Sequence, residues 1–580
     1  MTSARDTPAT LRIALAQINT VVGDFDANAA KVSERILEAK EAGAPLVAFP
    51  ELTLSGYPPE DLLLKEHFLA DAWAALNHIA LSTRGIVAVV GFPEKADRVF
   101  NAAAVLAEGE VKAIYRKVHL PNYGVFDERR YFQPGSHGAI FNLGEYRIGI
   151  TVCEDIWETG SPLADEALGG ASLVVNLSAS PYHVDKGYQR EQMFCQRARD
   201  NAVALAYCNL VGGQDELVFD GQSMVIDQAG VVIARAGQFA EELLVVDLDL
   251  ASEPGPMRAG AKARASATSP RVKMLGKIEL PKAASATPTL DLSVISDPLD
   301  PEAEVYGALV LGLRDYVSKN GFQQAILGLS GGIDSALVAC IAVDALGSER
   351  VSAVVMPSPY SSEQTQSDAH LMASGLKIKS TQLAIEPIMA AYDQVLSDLF
   401  ANHQPDLTEE NLQARIRGNI LMALSNKFGS IVLTTGNKSE MSVGYSTLYG
   451  DSAGGFAVIK DVPKTLVYKL ARHRNQQSDA PIPEAILQRA PSAELRPGQR
   501  DDDSLPPYEI LDPILEGYVE NDLGREALVA SGFDPADVDR VIGLVDRAEY
   551  KRRQQPPGIK ITPRAFGRDR RIPITNRYGG

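Results

Sequence analysis

The chain has 580 residues, 45% of them hydrophobic, and a formal charge of −18. That length exceeds an ordinary single domain, and the apolar content supports substantial cores. So acidic a chain argues against general nucleic-acid or anionic-membrane binding, which needs a cationic surface. No apolar run approaches the ~20 residues of a membrane span, and the first residues carry no apolar signal core. The four cysteines, Cys153, Cys195, Cys208 and Cys340, lie too far apart for metal-type pairs. Such sparse usage predicts a reduced, cytoplasmic setting.

From Leu11 onward short apolar runs alternate with helical patterns. The pattern predicts strands over 13–17, 46–50, 86–91, 102–106, 111–116, 147–152 and 173–177, and an amphipathic helix over 28–42. Strands separated by helices imply an α/β sandwich. Three strand ends carry groups suited to chemistry: Glu51 after 47–50, Lys117 after 114–116 and Cys153 after 148–152. Ligands bind at strand ends in α/β sheets, so the three could meet in one pocket. A carboxylate can take a thiol proton, a cysteine can attack a carbonyl carbon, and a lysine can stabilise the oxyanion. Alone, each would read as a surface charge or a core thiol.

The surrounding strings narrow the reading. Phe-Pro-Glu-Leu-Thr-Leu-Ser-Gly-Tyr at 49–57, Tyr-Arg-Lys-Val-His-Leu-Pro at 115–121 and Val-Cys-Glu-Asp-Ile-Trp at 152–157 resemble the Glu-Lys-Cys signature of the nitrilase superfamily. More narrowly, they resemble the glutaminase domain of the glutamine-dependent NAD synthetases. The resemblance implies a nitrilase-like sandwich with Glu51 as general base, Lys117 as oxyanion partner and Cys153 as nucleophile. It makes Glu128 a second glutamate beside the lysine, and Tyr123, Ser180 and Lys186 binders of glutamine. Cys195 and Cys208 match no catalytic position and read as structural. The stretch 211–223 is also similar to this family, with Gly212 and Gly213 in a loop. Ser55 stands where the family pattern has threonine.

Between Phe239 and Tyr306 there is no aromatic residue, and 251–286 is too poor in apolar residues for a core of its own. The stretch 251–300 is therefore expected to be a surface connector between domains at 1–250 and 301–580.

The second half centres on 325–338. An apolar strand pattern ends at Leu329, a glycine turn follows, and a helical pattern starts near Asp334. Gly331 and Gly332 let a ligand approach the backbone, and the helix N-terminus beyond them suits phosphate. The Gly-Lys-Ser/Thr ending of a Walker loop is missing. A helix over 335–346, a strand over 351–356 and a loop over 357–365 continue the pattern. They predict a doubly wound parallel sheet with its ligand at the strand C-termini. Leu412, Ile416, Ile420 and Leu424 form an apolar helix stripe, with Asn411, Arg415 and Asn419 on another face. A strand over 431–434 leads into Thr435-Gly436-Asn437-Lys438-Ser439-Glu440.

Ser-Gly-Gly-Ile-Asp-Ser at 330–335 resembles the pyrophosphate loop of the ATP pyrophosphatases, and 434–469 and 490–511 are similar to the NAD synthetase domain. The resemblance implies that Gly328, Leu329, Ser330, Gly331, Gly332, Ile333, Asp334, Ser335 and Thr435 hold ATP. Asn411, Glu440, Asp461 and Lys551 would face deamido-NAD+. Asp334 and Glu440 would supply hard oxygens for Mg2+ bridging the ATP phosphates. The acidic segment 490–511 would order over the substrate, and the basic tail 551–577 would pack near the synthetase site or an interface. His473 stands where the family pattern has tryptophan. The implied activity is ATP-dependent amidation of deamido-NAD+ with ammonia from glutamine, through an adenylate, by a homo-oligomer. A rival is another glutamine amidotransferase of the ATP pyrophosphatase class, acting on a different carboxylate. A non-enzymatic scaffold is disfavoured by the intact Glu51, Lys117, Cys153 and 330–335.

Overall fold

Apolar residues on both faces of its strands decide the architecture of the first half. β1 (Ala9–Gln17) sends Leu11, Ile13 and Leu15 to one core and Ala14 and Ala16 to another. A strand buried on both faces must sit between two layers. The computed structural model describes residues 9–250, 271–279, 295–477 and 479–578. It divides into two compact units, Met1–Gln214 with Phe219–Leu299, and Asp215–Val218 with Asp300–Gly580.

In the first unit, β1 is joined by β2 (Leu46–Ala48), β3 (Val87–Lys95), β4 (Val99–Ala107), β5 (Glu110–Arg116) and the strand Glu242–Leu250 in one six-stranded sheet. A seven-stranded sheet holds β6 (Gly138–Leu143), β7 (Tyr146–Val152), β8 (Leu173–Ser178), β9 (Ala204–Asn209) and the strands Met224–Ile226, Val232–Arg235 and Val272–Ile278. The sheets face each other across one shared core, to which the first gives Ile13, Val89 and Val105 and the second Ile150, Val175 and Ala206. Helices Phe25–Glu41 and Glu66–Ala80 cover the outer face of the first sheet through Val32, Ile36, Leu76 and Ile79. Helix Lys186–Asn201 covers the second through Phe194 and Ala198. The result is an α/β/β/α sandwich.

The connector expected over 251–300 needs correction. Val272–Ile278 is a parallel edge strand beside β6, and Ser296 N–H donates to the Arg235 carbonyl at 3.0 Å. Its sequence, Val-Lys-Met-Leu-Gly-Lys-Ile, is partly polar because an edge strand needs little burial. The rest of that stretch up to 294 lies outside the described residues.

The second unit carries five parallel strands in the order Lys379–Gln382, Val351–Val355, Ala325–Gly328, Ile431–Thr434, Phe456–Ala457. The chain starts at the centre, winds outward one way, then returns to the other side of Ala325–Gly328. That reversal opens a crevice at the C-terminal end of the central strand. The loop expected over 357–365 is shorter, since helix Glu363–Gly375 begins at once, capped by the Ser362 side chain on Thr365 N–H. Helix Leu407–Phe428 packs Ile416, Ile420 and Leu424 of the expected stripe in or against the core, and it also buries Gln413, Ala414, Gly418 and Leu421. Glycine and glutamine there meet backbone, which an apolar count does not register. His473 packs its ring 6.1 Å from that of Tyr306. Among the described residues no helix is long and apolar enough to cross a membrane.

Candidate active sites

In the first unit, the ends of β2, β5 and β7 bring three groups together. Lys117 Nζ donates to Glu51 Oε1 at 2.6 Å and to both Glu128 oxygens at 2.9 Å. Glu51, Lys117, Glu128 and Cys153 are all buried. Glu51 is fixed further, with Oε2 accepting the Ala179 N–H at 3.1 Å and Oε1 the Asn101 amide at 2.7 Å. Tyr57 donates to Glu128 at 3.1 Å. Cys153 turns the chain from β7 into the short helix Glu154–Trp157 with φ at 41°. An L-residue enters that region only with strain, which here throws the thiol out at a sharp elbow.

The electrostatics follow from dryness. Burial works against the Lys117 charge, but Glu128 and Glu51 outweigh it and hold the ammonium well above the usual lysine range. Burial pushes the Glu128 carboxyl up to about 7 against the pull of Lys117. Burial, with Glu51 second, drives the Cys153 thiol well up. The Cys153 thiol is therefore held protonated, with a fixed carboxylate close by that could accept its proton.

Tyr123, Ser180 and Lys186 border this cluster. Tyr123 is 57% exposed, and its hydroxyl donates to Glu154 at 3.0 Å. Ser180 is buried, its N–H donating to Asn209 Oδ1 at 3.0 Å. Lys186 opens its helix with Nζ 3.9 Å from the Trp157 ring centroid. Burial and then Arg190 push the Lys186 ammonium down to about 8, while Glu154 and Asp220 pull the other way. Asn101, Glu154 and Asp155 were not singled out by sequence. For Glu154 and Asp155 the signal was present, since they follow Cys153 directly. Cys195 and Cys208 are buried away from these polar partners; Cys208 Sγ lies 3.5 and 3.4 Å from the carbonyls of Ala16 and Ala48. Buried Ser55 donates to the carbonyls of Leu52 and Gly56 at 3.2 and 3.1 Å, so its hydroxyl makes the bonds open to a threonine hydroxyl.

In the second unit, the chain leaves the central strand at Gly328, turns through Ser330, Gly331 and Gly332, and enters helix Ile333–Leu346. Gly331 has φ 81°, and a Cβ there would lie 2.2 Å from the Thr365 carbonyl oxygen, so only glycine fits. Ser330 Oγ accepts the Gly332 N–H at 3.2 Å, and Ser335 Oγ accepts the Ser330 N–H at 3.3 Å. Leu329 is buried beneath the turn, and Thr435 follows the neighbouring strand Ile431–Thr434, half-buried. Arg489 donates to the Gly331 carbonyl at 2.8 Å and pairs with Asp368.

Asp334 and Glu440 face one cation. Lys464 Nζ donates to Asp334 Oδ2 at 2.5 Å and to Glu440 Oε1 at 3.4 Å, while Asn437 Nδ2 donates to Asp334 Oδ1 at 2.8 Å. Burial pushes Glu440 up to about 8 against Lys464. The two carboxylates hold Lys464 well above the usual lysine range despite its burial. Among the described residues no group of three or more His, Cys, Asp or Glu forms a metal site. Two carboxylates converging on one cation suit Mg2+, which takes few protein ligands and completes its shell with phosphates and water. Lys464 and Asn437 were missed by sequence reasoning, because only folding brings them to Asp334.

The residues expected to face a dinucleotide do not all meet. Asn411 Oδ1 accepts the Thr447 hydroxyl at 2.8 Å, and Lys551 Nζ donates to the carbonyls of Gly444 and Ser446 at 2.8 Å. Both therefore touch the 444–447 turn that follows Glu440. Asp461 is enclosed instead: Lys438 Nζ lies 2.9 Å away, and Oδ2 accepts the N–H groups of Ile561 and Thr562 at 2.8 Å. It anchors the basic tail. The acidic segment is not simply exposed, since Asp501 is buried and accepts the Tyr508 hydroxyl at 2.8 Å.

Comparison with known proteins finds the carbon-nitrogen hydrolase family over residues 12–253 and the NAD synthase family over 305–556. The chain is 49% identical to the glutamine-dependent NAD(+) synthetase of Thermotoga maritima, covering 98% of this chain and 99% of that one. It is 47% identical to the enzyme of the same name from Aquifex aeolicus, covering 98% and 100%. It is similar to the structure of the Acinetobacter baumannii glutamine-dependent NAD+ synthetase in complex with ADP, at 42% identity and a TM-score of 0.73 over 98% and 99% of the two chains. The Cytophaga hutchinsonii synthetase shares the fold, with a TM-score of 0.80 over 98% of each chain at 22% identity.

Proposed function

The chain belongs to the glutamine-dependent NAD+ synthetases, and on that premise we propose how its two sites divide the work. The enzyme amidates deamido-NAD+ to NAD+ with consumption of ATP and with glutamine as nitrogen donor. The observation that supports the division is the buried Glu51–Lys117–Cys153 cluster in one unit and the Gly331 loop with Asp334 and Lys464 in the other.

At the first site Glu51 takes the Cys153 proton as sulfur attacks the side-chain amide carbon of glutamine. Lys117, already an ammonium, donates to the oxyanion. Glu51 returns the proton to the departing nitrogen, ammonia leaves, and a thioester remains for water to hydrolyse with the same base. Glu128 and Asn101 keep Lys117 and Glu51 in place. Tyr123, Ser180 and Lys186 hold the glutamine, the lysine facing its carboxylate.

At the second site the nicotinate carboxylate attacks the α-phosphorus of ATP and pyrophosphate leaves. Ammonia then attacks the acyl carbon of the adenylate and AMP departs. A carboxylate is a poor electrophile until it gains such a leaving group. Gly328–Ser335 and Thr435 cradle ATP, and Asn411, Glu440 and Lys551 bound the dinucleotide side. Asp461 contributes through the tail it anchors. Asp334 and Glu440 would hold Mg2+, which neutralises phosphate charge when bound. Lys464 keeps the two carboxylates converged.

The enzyme is a homo-oligomer assembled partly through its second unit. Helix Glu386–Phe400 supports this, since Ile388, Tyr392, Val395 and Leu399 make an exposed apolar stripe. A cytoplasmic setting is supported by four free thiols. The test is incubation with deamido-NAD+, ATP, Mg2+ and glutamine. NAD+, glutamate, AMP and pyrophosphate should appear together; ADP without pyrophosphate would reject adenylation.

A further inference from the structure

Two residues beyond the nucleophile, Asp155 carries a fully buried carboxyl that touches none of the reacting groups named above. Its Oδ1 accepts the N–H groups of Val118 and His119 at 2.9 and 2.8 Å. Its Oδ2 accepts the Tyr115 hydroxyl at 2.6 Å and the Val152 N–H at 3.0 Å. Three of these donors flank Lys117 and the fourth immediately precedes Cys153.

The significance lies in the sheets. Lys117 follows β5, in the six-stranded sheet, and Cys153 follows β7, in the seven-stranded one. Among the described residues no backbone ladder joins the two sheets, so their alignment at the site falls to side-chain hydrogen bonds, of which Glu51 Oε2 accepting the Ala179 N–H at 3.1 Å is one. Hydrogen bonds to a buried carboxylate are directional and strong, and cannot slide without being lost. We propose that Asp155 is the positioning residue that sets Lys117 against Cys153 across the two sheets. It rests on the reading of Cys153 as nucleophile, and it deepens that reading: the oxyanion partner is aligned by a carboxylate that never meets substrate.

Asparagine is the informative replacement. It keeps the shape but offers one acceptor oxygen where four donors converge. If its NH2 faces Tyr115 and Val152, the tyrosine hydroxyl can turn and accept, but the Val152 N–H is left unpaired at the elbow. If it faces Val118 and His119, both N–H groups beside the lysine are unpaired. Either way one end of the bridge is released.

The test uses the full chain. Asp155→Asn should lower kcat for glutamine hydrolysis by about 10²-fold, as expected when reacting groups are misplaced by about 1 Å. KM for glutamine should stay within threefold or so, because two of its three proposed holders, Ser180 and Lys186, sit on other segments and only Tyr123 lies near the bridge. NAD+ synthesis from added ammonium should be unchanged. Tyr115→Phe removes one of the bonds and should lower the same kcat about fivefold, again without moving KM. If Asp155→Asn does not fold, Tyr115→Phe decides. An unchanged kcat in a folded variant overturns the proposal, and so does an equal loss of the ammonium reaction, which marks general structural damage. Cys153→Ser is measured beside them. Glutamine hydrolysis surviving in that variant would reject the nucleophile itself, whereas its loss there, with Asp155→Asn fully active, rejects only the positioning role.

Discussion

Asn101 Nδ2 donates to Glu51 Oε1 at 2.7 Å, and the same nitrogen lies 3.4 Å from Glu128 Oε2. One neutral amide thus stands between two buried carboxylates that share a single ammonium. Replacing it by a third carboxylate would leave like charges in a dry site, where one must take up a proton. Asn101→Asp should therefore make the base less available. Glutamine hydrolysis should fall by about 10²-fold, the usual scale of lost acid–base help, with ammonium-driven synthesis retained. Equal rates in steady-state assays with glutamine would refute this role for the amide.

Glu51, Lys117 and Cys153 were legible because each ends an apolar run and sits in a distinctive string. The glycine turn at 331 was legible for the same reason, and so was the parallel order of the second sheet. Asn101, Lys464 and Arg489 were not. Each is an ordinary polar residue in its own segment, and only the crossing of strands from distant sequence gives it a partner. Asp461 pairs with Lys438 and accepts from the tail, partners that its own string does not disclose. The strand Val272–Ile278 escaped because an edge strand with interspersed lysines and no aromatic residue looks like a connector.

Under the proposed role of Lys186 in holding glutamine, its titration sets a pH limit on that binding. Its ammonium is pushed down to about 8 by burial and then Arg190, with the carboxylates of Glu154 and Asp220 pulling it back up. Below that pH it is charged and meets the substrate carboxylate; above it the free enzyme carries a neutral amine. KM for glutamine should therefore rise as pH increases through about 8 while kcat is steadier. The amino group of glutamine titrates in the same direction, so Lys186→Arg is the control. An arginine stays charged across this range, and the rise should shrink in that variant. An identical KM profile in the two proteins would exclude the lysine as its source.

Lys464 holds Asp334 and Glu440 to one point. Lys464→Met leaves two carboxylates without their cation, and Glu440, already raised to about 8, gains a proton more readily. NAD+ synthesis should fall by about 10²-fold or more with glutamine and with ammonium alike, the scale of a lost electrostatic partner. Glutamine hydrolysis measured as glutamate release should survive. Asp334→Asn should show the same pattern.

The exposed stripe on helix Glu386–Phe400 predicts that charge will break assembly. Val395 is 77% and Leu399 72% exposed, so replacing both by glutamate should barely disturb the fold of one chain. Light scattering at micromolar concentration should show a smaller species than the unaltered protein. An unchanged mass would reject assembly through this stripe.

The two active sites should be separable by one atom. Cys153→Ser keeps the shape but replaces sulfur with a hydroxyl whose proton Glu51 cannot readily remove. The native thiol is already driven up by burial, and an alcohol starts from a far weaker acidity. Glutamine-driven NAD+ synthesis should fall beyond the ~10²–10⁴ typical of losing acid–base help alone. Synthesis from added ammonium should survive, because on the proposed division the adenylate forms at the Gly331 loop, in the other unit. Glu51→Gln and Lys117→Ala should give the same split. Cys195→Ser and Cys208→Ser should keep both activities, since neither thiol belongs to the Glu51–Lys117 cluster. If Cys153→Ser abolished the ammonium reaction in a folded protein, the division between the two sites would be wrong. If it left glutamine use intact, the nucleophile would have to be another group.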